Sequence, residues 1–532
     1  MPDFVIVGAG SAGCVLAEAL SARHSVVVLE AGGADRGMEV AIPAAFSKLF
    51  KTAVDWNFSS EPEPGALGRT LYLPRGKMVG GSSSMNAMIY MRGRPSNYDG
   101  WEKGGANGWG WDSVLPVFKA QERNSRGADE FHGDRGALRV EDIRDLNPLS
   151  RCFVEAALAT GIPANADFNG PSQVGAGFFQ VTQKRGRRWS AADAFLRPAL
   201  SRPTLELRMG VLVIRIAVEA GRAVGVEYVR EGRSEMVGAD LGVIVAAGAY
   251  GSPHLLQLSG IGDPDHLHDI GVEPVAEVPG VGRNLQDHPA SGVIYESTRP
   301  GTLDDAETPG ELARWLLLRR GRLTSNVAEA GAFVSSTGGS EPDLQFHFGP
   351  VHFQNHGLER YDGHAFTFGP VLVNPKSRGS VMARDSDPMT PPAIAVNCLA
   401  DRGDLDALIQ GVEMARDIGA QGPFDGWRGA ELTPGEVIHS RDALESFVRE
   451  NVELLYHPVG TCRMGSDEDA VVDPELRVRG VEGLRVADAS VMPTVVSGNT
   501  NAPTMMIAAR AAEMILASVQ PSNGSSSWGS GR

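Results

Sequence analysis

Cysteine is scarce in this chain, and what there is carries no pattern. Cys14, Cys152, Cys398 and Cys462 are the only four in 532 residues. None forms a Cys-x-x-Cys pair, which argues against a zinc site or a disulfide framework and fits a reducing compartment. No apolar run reaches the roughly 18 residues that a membrane-spanning helix needs. A basic surplus is also missing: 49 Lys and Arg stand against 65 Asp and Glu, a formal net charge of −16. That balance argues against nonspecific nucleic-acid binding and gives no general reason for attraction to anionic lipid. Strand-like sequence begins by residue 4, which leaves no room ahead of it for a secretory leader. The expected location is cytoplasmic, with peripheral attachment at the inner face of a membrane left open. No internal repeat is present, and no metal-ligating cluster stands out.

What the chain does have is glycine in telling places. Residues 4–7 read Phe-Val-Ile-Val, followed by Gly8, Ala9, Gly10, Ser11, Ala12 and Gly13. An apolar-periodic stretch (Val15, Leu16, Ala19, Leu20) leads to a second apolar run, Val26 to Leu29, closed by Glu30 and Ala31. This is strand, glycine turn, helix, strand and acidic residue, the fingerprint of a dinucleotide site. The first glycine allows the turn, the second admits a pyrophosphate against bare backbone, and the third lets the helix pack on the strand. Glu30 can accept from ribose hydroxyls. The fingerprint alone leaves NAD and FAD open.

Further along, residues 59–76 are rich in turn formers and read as a long surface loop. A glycine-serine cluster follows at 80–84, and Ala87 to Met91 is apolar enough to be buried. Leu205 to Ile216 and 223–229 carry strand-type residues, and 241–247 is a continuous apolar run ending in a second glycine turn. The middle, 291–454, has scattered strand-like runs and a helix across 402–417. Ala502 to Leu516 reads as an apolar helix, and 521–532 is a polar tail too poor in apolar residues to order itself.

Five segments together resemble the glucose–methanol–choline (GMC) oxidoreductases, most closely the choline-dehydrogenase and aliphatic-alcohol-dehydrogenase branch. They are Arg75-Gly76-Lys77-Met78-Val79-Gly80-Gly81-Ser82-Ser83-Ser84-Met85-Asn86, Gly248 to Gly262, Val281 to His288, Tyr456-His457-Pro458 and Gly498 to Thr504. The resemblance implies FAD rather than NAD. It implies an α/β FAD-binding Rossmann-like domain, discontinuous over 1–150, 200–290 and 455–520. An α+β substrate-binding domain built on an antiparallel sheet would take 151–199 and 291–454.

It also implies roles. Val79, Gly80, Ser84, Asn86 and Ala87 would line the flavin. Val211 would offer its backbone to the adenine, and Ala247 and Gly248 would approach the cofactor from the second glycine turn. Asp488, Ala489, Asn501, Ala502 and Thr504 would close its far side, although a cap is the plainer role for Asp488 taken alone. Some relatives bond the flavin covalently through a histidine where this chain has Met85, so FAD is expected to be non-covalent. His457 would be the general base for hydride transfer from a primary alcohol to flavin N5, since a base with a pKa near working pH suits that step. Asn501 would be its partner on the substrate oxygen. Glu329, Phe346 and Tyr456 are pocket candidates, with Phe348 and Phe353 beside them. No aromatic cluster that would cage an ammonium is evident. His288, His347, His352 and His356 are expected to be structural or pocket-lining. The partners implied are an alcohol and an electron acceptor, with a quinone or other carrier preferred over an oxidase reading in which O2 is reduced to H2O2. A non-catalytic flavin-binding protein is the remaining reading.

Overall fold

Short β-branched runs that are apolar throughout bury both faces, and such strands pair in parallel. In the computed structural model, which describes residues 1–519, Phe4–Val7 lies between Val26–Glu30 and Gly242–Val245. Leu205–Met209 extends one edge and Leu484–Val486 the other, giving five parallel strands. The helix Ser11–Leu20 covers this sheet and packs against Asn501–Val519. That last helix is long and apolar enough to cross a bilayer, but Met505, Met506 and Ile507 are buried in the protein core. Val211–Glu219, Arg222–Arg230 and Arg233–Gly238 form a separate three-stranded antiparallel sheet at the edge.

The second layer is a large antiparallel sheet. Its main path runs Arg428–Thr433, Val293–Ser297, Ala365–Leu372, Leu344–Gly349, Ala330–Val334 and Gly175–Phe178. The helices Pro148–Ala159 and Arg402–Gly419 pack on one face. Side chains alternate across a strand. In Leu344–Gly349, therefore, Leu344, Phe346 and Phe348 enter the helix-covered core, and Gln345 and His347 face the other way.

Residues 59–76 are not the surface loop that their turn formers suggest. Phe58–Glu63 and Arg69–Leu73 pair as a hairpin around the turn Pro64–Ala66. Leu71 and Leu73 are buried while Thr70 and Tyr72 are not, an alternation that the prolines and glycine obscure in sequence. The expected tail at 521–532 lies outside the described residues.

One buried ionic network joins four positions between residues 92 and 167. Arg92 and Glu122 are both fully buried, with Nη2 2.6 Å from Oε2. His132 reaches Glu122 Oε1 at 3.0 Å and Asp167 Oδ2 at 2.7 Å. Burial works to lower the His132 pKa, but hydrogen bonds to Asp167 and Glu122 outweigh it and raise it to about 9. A histidine raised above its unfolded pKa of about 6.5 stabilises the fold fully below that pH and loses the contribution as pH climbs through the folded value. The gap in thermal midpoint between wild type and His132→Asn is therefore expected to be widest at pH 6 and to shrink toward pH 10. An equal gap at both ends would remove the charge argument.

Candidate active site

The glycine turn after the first strand is fixed by contacts that leave no space for side chains. Gly8 has φ +98°, and a Cβ there would sit 2.6 Å from the Ala246 carbonyl oxygen. A Cβ on Gly81 would sit 2.8 Å from Gly10 Cα, so two loops some seventy residues apart meet backbone to backbone. Glu30 braces the turn: its Oε2 accepts from Ala9 N and its Oε1 from Gly32 N, both at 2.8 Å. The helix at Ser11 starts with no side-chain cap and no acidic residue in its first turn. Its first N–H groups thus remain free for an anion.

These residues form one end of a cavity of about 780 Å³, toward the upper end of small-molecule sites (roughly 300–1,000 Å³). Gly8, Gly10, Ser11, Ala12, Glu30 and Ala31 line it there. Asn86 and Ala87 line it from the glycine-serine loop, Val211, Ala247 and Gly248 from the first layer, and Ala489 and Thr504 from the C-terminal part. Asp488 also borders it, but the carboxylate is occupied as a cap. Its Oδ2 accepts from Gly248 N at 2.8 Å and Ser252 Oγ at 2.6 Å, and its Oδ1 from Ser490 N at 2.8 Å.

Several expected cofactor residues stand behind the wall. Val79, Gly80 and Ser84 do not line the cavity, whereas Gly81, Ser82 and Met85 do. Gly81–Ser84 is a 3₁₀ turn that rotates Ser83 and Ser84 inward. Ser84 Oγ bonds the Val79 carbonyl at 3.0 Å, and Gly80 N bonds the Ala9 carbonyl at 2.7 Å. Gly13 and Ala502 are also behind the wall. A Cβ on Gly13 would be 1.9 Å from the Gly8 carbonyl, so its task is helix packing. Ala502 is buried in the core.

Arg188, which looks in sequence like part of a solvated basic run, is the loop's main brace. It is fully buried, and burial lowers its pKa to about 9. Its Nη1 donates to the Asn86 backbone carbonyl at 2.6 Å and to Asn86 Oδ1 at 2.9 Å, and its Nε to the Val40 carbonyl at 2.9 Å.

At the other end stands His457. Its backbone N–H and that of His288 both donate to Asp287 Oδ1 at 2.7 Å. The two rings meet Nδ1 to Nδ1 at 3.0 Å. Burial, then the neighbouring His288, His347 and Arg75, holds the His457 pKa well below the ordinary histidine value. Burial, then His347, takes His288 down to about 3. With both rings neutral, one proton occupies the contact between them. Asn499 Nδ2 lies 3.2 Å from His457 Nε2, and Gln345 Nε2 donates to Asn499 Oδ1 at 3.4 Å. An amide donor at Nε2 requires a lone pair there, which puts the His457 proton on Nδ1, pointing at His288.

The expected partner Asn501 is elsewhere. It is the first residue of the C-terminal helix, and its Oδ1 accepts from Ser11 Oγ at 2.8 Å, at the cofactor end. Two residues earlier the chain is not yet helical, and Asn499 faces His457 instead.

Two expected pocket residues also lie outside the cavity. Glu329 is fully buried, with Oε2 accepting from Asn147 N at 2.8 Å and Ser150 Oγ at 2.7 Å, at the start of the Pro148–Ala159 helix. Phe346 is on the core side of its strand, as is Phe348. Tyr456 does line the cavity, and Phe46 and Phe50 from one segment and Phe353 from another join it. Their rings pack at centroid distances of 5.6–6.2 Å, so the aromatic wall not evident in sequence is present in space. His347 lines the cavity, His356 Nδ1 bonds the Tyr456 hydroxyl at 2.5 Å, and His352 stacks on Tyr361.

Replacing Arg188 by Met removes the donor to the Val40 and Asn86 carbonyls, at a cost of about 1–3 kcal/mol for an acceptor left unmet in a buried place. The expected result is a loop that holds the cofactor at least roughly tenfold more weakly, measured as flavin lost on dilution and ultrafiltration. Wild-type retention would contradict it.

Family models agree with this architecture: two described as GMC oxidoreductase match residues 2–290 and 375–508. The chain is 44% identical to an oxygen-dependent choline dehydrogenase of Sinorhizobium fredii over 97% of its own length and 95% of the relative's. A Brucella ovis protein of the same description is also 44% identical over the same shares. Among solved structures, pyridoxine 4-oxidase from Mesorbium loti superposes with a TM-score of 0.88 at 33% identity, covering 96% of this chain and 98% of that one. A formate oxidase of Aspergillus oryzae superposes at 0.92 with 25% identity, covering 97% and 98%. With the family matched over most of the chain and the same layers built around one cavity, the protein belongs to the GMC oxidoreductases, enzymes that use FAD.

Proposed function

We propose that the protein oxidises a primary alcohol to the aldehyde, with non-covalently bound FAD, His457 as general base, and a quinone or another carrier as the final acceptor. The observation that carries this reading is His457 Nε2 held 3.2 Å from the Asn499 amide in the wall of the cavity that begins at the glycine turn. The residues present fit FAD. The side-chain-free contact at Gly10 and Gly81 leaves a trough for a pyrophosphate, and the uncapped helix start at Ser11 offers it N–H donors. When bound, FAD supplies the acceptor for the hydride that leaves the carbinol carbon.

His457 takes the hydroxyl proton at Nε2. Its depressed pKa keeps that atom unprotonated beforehand. Asn499 Nδ2 has a second hydrogen to donate to the substrate oxygen, fixing it beside the base. His288 keeps the other proton on His457 Nδ1 and so maintains the tautomer that leaves Nε2 free. Asn501, bonded to Ser11, serves the cofactor end. The same reading assigns 1–150, 200–290 and 455–520 to the cofactor and 151–199 and 291–454 to the alcohol.

The wall of Phe46, Phe50, Phe353 and Tyr456 supports an alcohol with an apolar or cationic far end. The choline-oxidising activity named for the 44%-identical relatives supports a quaternary ammonium. Oxygen as acceptor is the second reading, favoured by the oxidase activities of the two solved neighbours.

An alcohol panel mixed anaerobically with the holoenzyme tests the reaction, with choline beside aliphatic, aromatic and sugar alcohols. At least one should bleach the flavin, and none doing so would defeat the proposal. His457→Ala should slow bleaching by about 10²–10⁴-fold. Asn499→Ala should slow it more than Asn501→Ala, whose main effect should be on flavin retention; the reverse order would restore Asn501 as the partner. Acid precipitation should release all the flavin, because Met85 cannot bond to it. Peroxide accumulating in air with each turnover would favour oxygen as the acceptor.

A further inference from the structure

The helix Pro309–Leu318 presents the one unbroken run of large exposed apolar residues among those described. Leu316, Leu317 and Leu318 are 47%, 82% and 62% exposed, whereas every other large exposed apolar residue stands alone in the sequence. The helix is well anchored beneath. Trp315 is buried with Ile42, Ala45, Leu303 and Leu323, and its Nε1 donates to the Gly186 carbonyl at 2.8 Å. Thr308 caps the start, and the Arg319 guanidinium sits over the Trp315 ring at 4.0 Å. Three leucines turned to water on so firmly held a helix need a partner to account for them.

Their surroundings indicate which partner. Trp315 bonds Gly186, and a Cβ on Gly186 would lie 2.7 Å from the Arg319 carbonyl, so the turn that carries the exposed cations Lys184, Arg185 and Arg187 sits at the leucine end of the helix; their side chains make no ion pair among the described residues. Arg314 and Arg320 flank the leucines on the helix side, 52% and 53% exposed, with Glu311 at 3.9 Å and Asp145 at 3.2 Å as their carboxylates. In a chain with net charge −16, Lys184, Arg185 and Arg187 thus bring positive charge with no carboxylate partner to the one exposed leucine run among the described residues, and Arg314 and Arg320 add paired but half-exposed cations. A second copy of the same face would set these cations against one another, which disfavours a symmetric dimer here. Acyl chains with anionic headgroups satisfy both parts at once: leucines enter the apolar boundary and long basic side chains reach the phosphates.

We propose that this face docks on an anionic lipid bilayer, with Leu316, Leu317 and Leu318 inserted and Lys184, Arg185, Arg187, Arg314 and Arg320 on the headgroups. The inference is independent of which alcohol or acceptor the enzyme uses. It also has a consequence for the site. Val327 packs under this helix cluster and lines the cavity, so docking holds the aromatic end of the cavity on the lipid side.

The test is co-sedimentation of the full-length holoenzyme with sucrose-loaded vesicles of phosphatidylglycerol or of phosphatidylcholine. Wild type should pellet with the first, far less with the second, and progressively less as salt is added. Leu316→Ser, Leu317→Ser and Leu318→Ser combined should lower partition by about tenfold or more. Lys184→Glu, Arg185→Glu and Arg187→Glu combined should abolish the preference for phosphatidylglycerol. Flavin reduction by alcohol in solution should be unchanged in both. Wild type failing to pellet with phosphatidylglycerol, or either variant pelleting like wild type, overturns the proposal. A wild-type dimer in sedimentation velocity that the leucine variant splits would also overturn it, by assigning the face to a second copy. Flavin content and thermal midpoint check folding, and the exposed charge variant carries the test alone if the leucine variant fails to fold.

Discussion

The structure depends on a place where three stretches of backbone touch without side chains between them. Gly8 lies against the Ala246 carbonyl, and Gly81 lies against Gly10. The Gly80 N–H to Ala9 carbonyl bond and the Val79 N–H to Gly33 carbonyl bond lock the same junction. A Cβ at either glycine contact would push the segments apart, and the trough between them would lose its floor. From this junction the chain leaves in three directions: into the parallel sheet, into the loop that carries Asn86, and into the helix Gly248–Leu258. The rest of the site is placed by how firmly those departures are held. Arg188 is the clearest case, because its fork closes the Asn86 loop from a hundred residues away.

The motifs made the cofactor end legible because its requirements fall on consecutive residues. A glycine turn, its helix and its acidic residue occupy Gly8 to Glu30, so the pattern can be read without knowing what packs on it. The catalytic end is dispersed, and there the sequence is ambiguous in ways that packing resolves. Asn499 and Asn501 are chemically equal. Only the start of the helix at Asn501 decides that one still faces His457 while the other faces Ser11. Phe346, His347 and Phe348 are consecutive, and nothing in their types says which face of the sheet meets the cavity. The helices Pro148–Ala159 and Arg402–Gly419 claim one face, so His347 is left for the site. Glu329 is a buried carboxylate that resembles a ligand group in sequence and serves as a helix-start acceptor in space. Where burial itself is the signal, as in the parallel strands and in the Arg402–Gly419 helix, the sequence reading and the structure agree closely.

Burial also decides the protonation pattern of the reactive end. Taking a charge out of water is costly, and His457, His288 and His347 lie close together in a buried cluster, so all three are held neutral. A neutral cluster has a definite direction of hydrogen bonding. Gln345 donates to Asn499, Asn499 to His457, and His457 to His288, each link using one donor and one acceptor. Reversing a single link would leave two donors or two acceptors facing each other. Asp287 contributes by pinning the backbone of both histidines, while burial raises its own pKa to about 7.

The aromatic end of the cavity, the proposed place for the far end of the alcohol, follows a different logic. His457, the proposed base, and its amide partner Asn499 are bound into a chain in which each member constrains the next, so a change at one position disturbs several. The aromatic wall has no such coupling. Phe46, Phe50, Phe353 and Tyr456 come from three separate segments, and apart from the Tyr456 hydroxyl bond to His356 they meet through ring packing. Ring packing tolerates substitution by residues of similar volume far better than a directional network does. The far end of the cavity can therefore change shape while proton removal stays intact. In the proposed reading, the polar chain at His457 defines what the fold does to an alcohol, and the looser aromatic wall defines which alcohol reaches it.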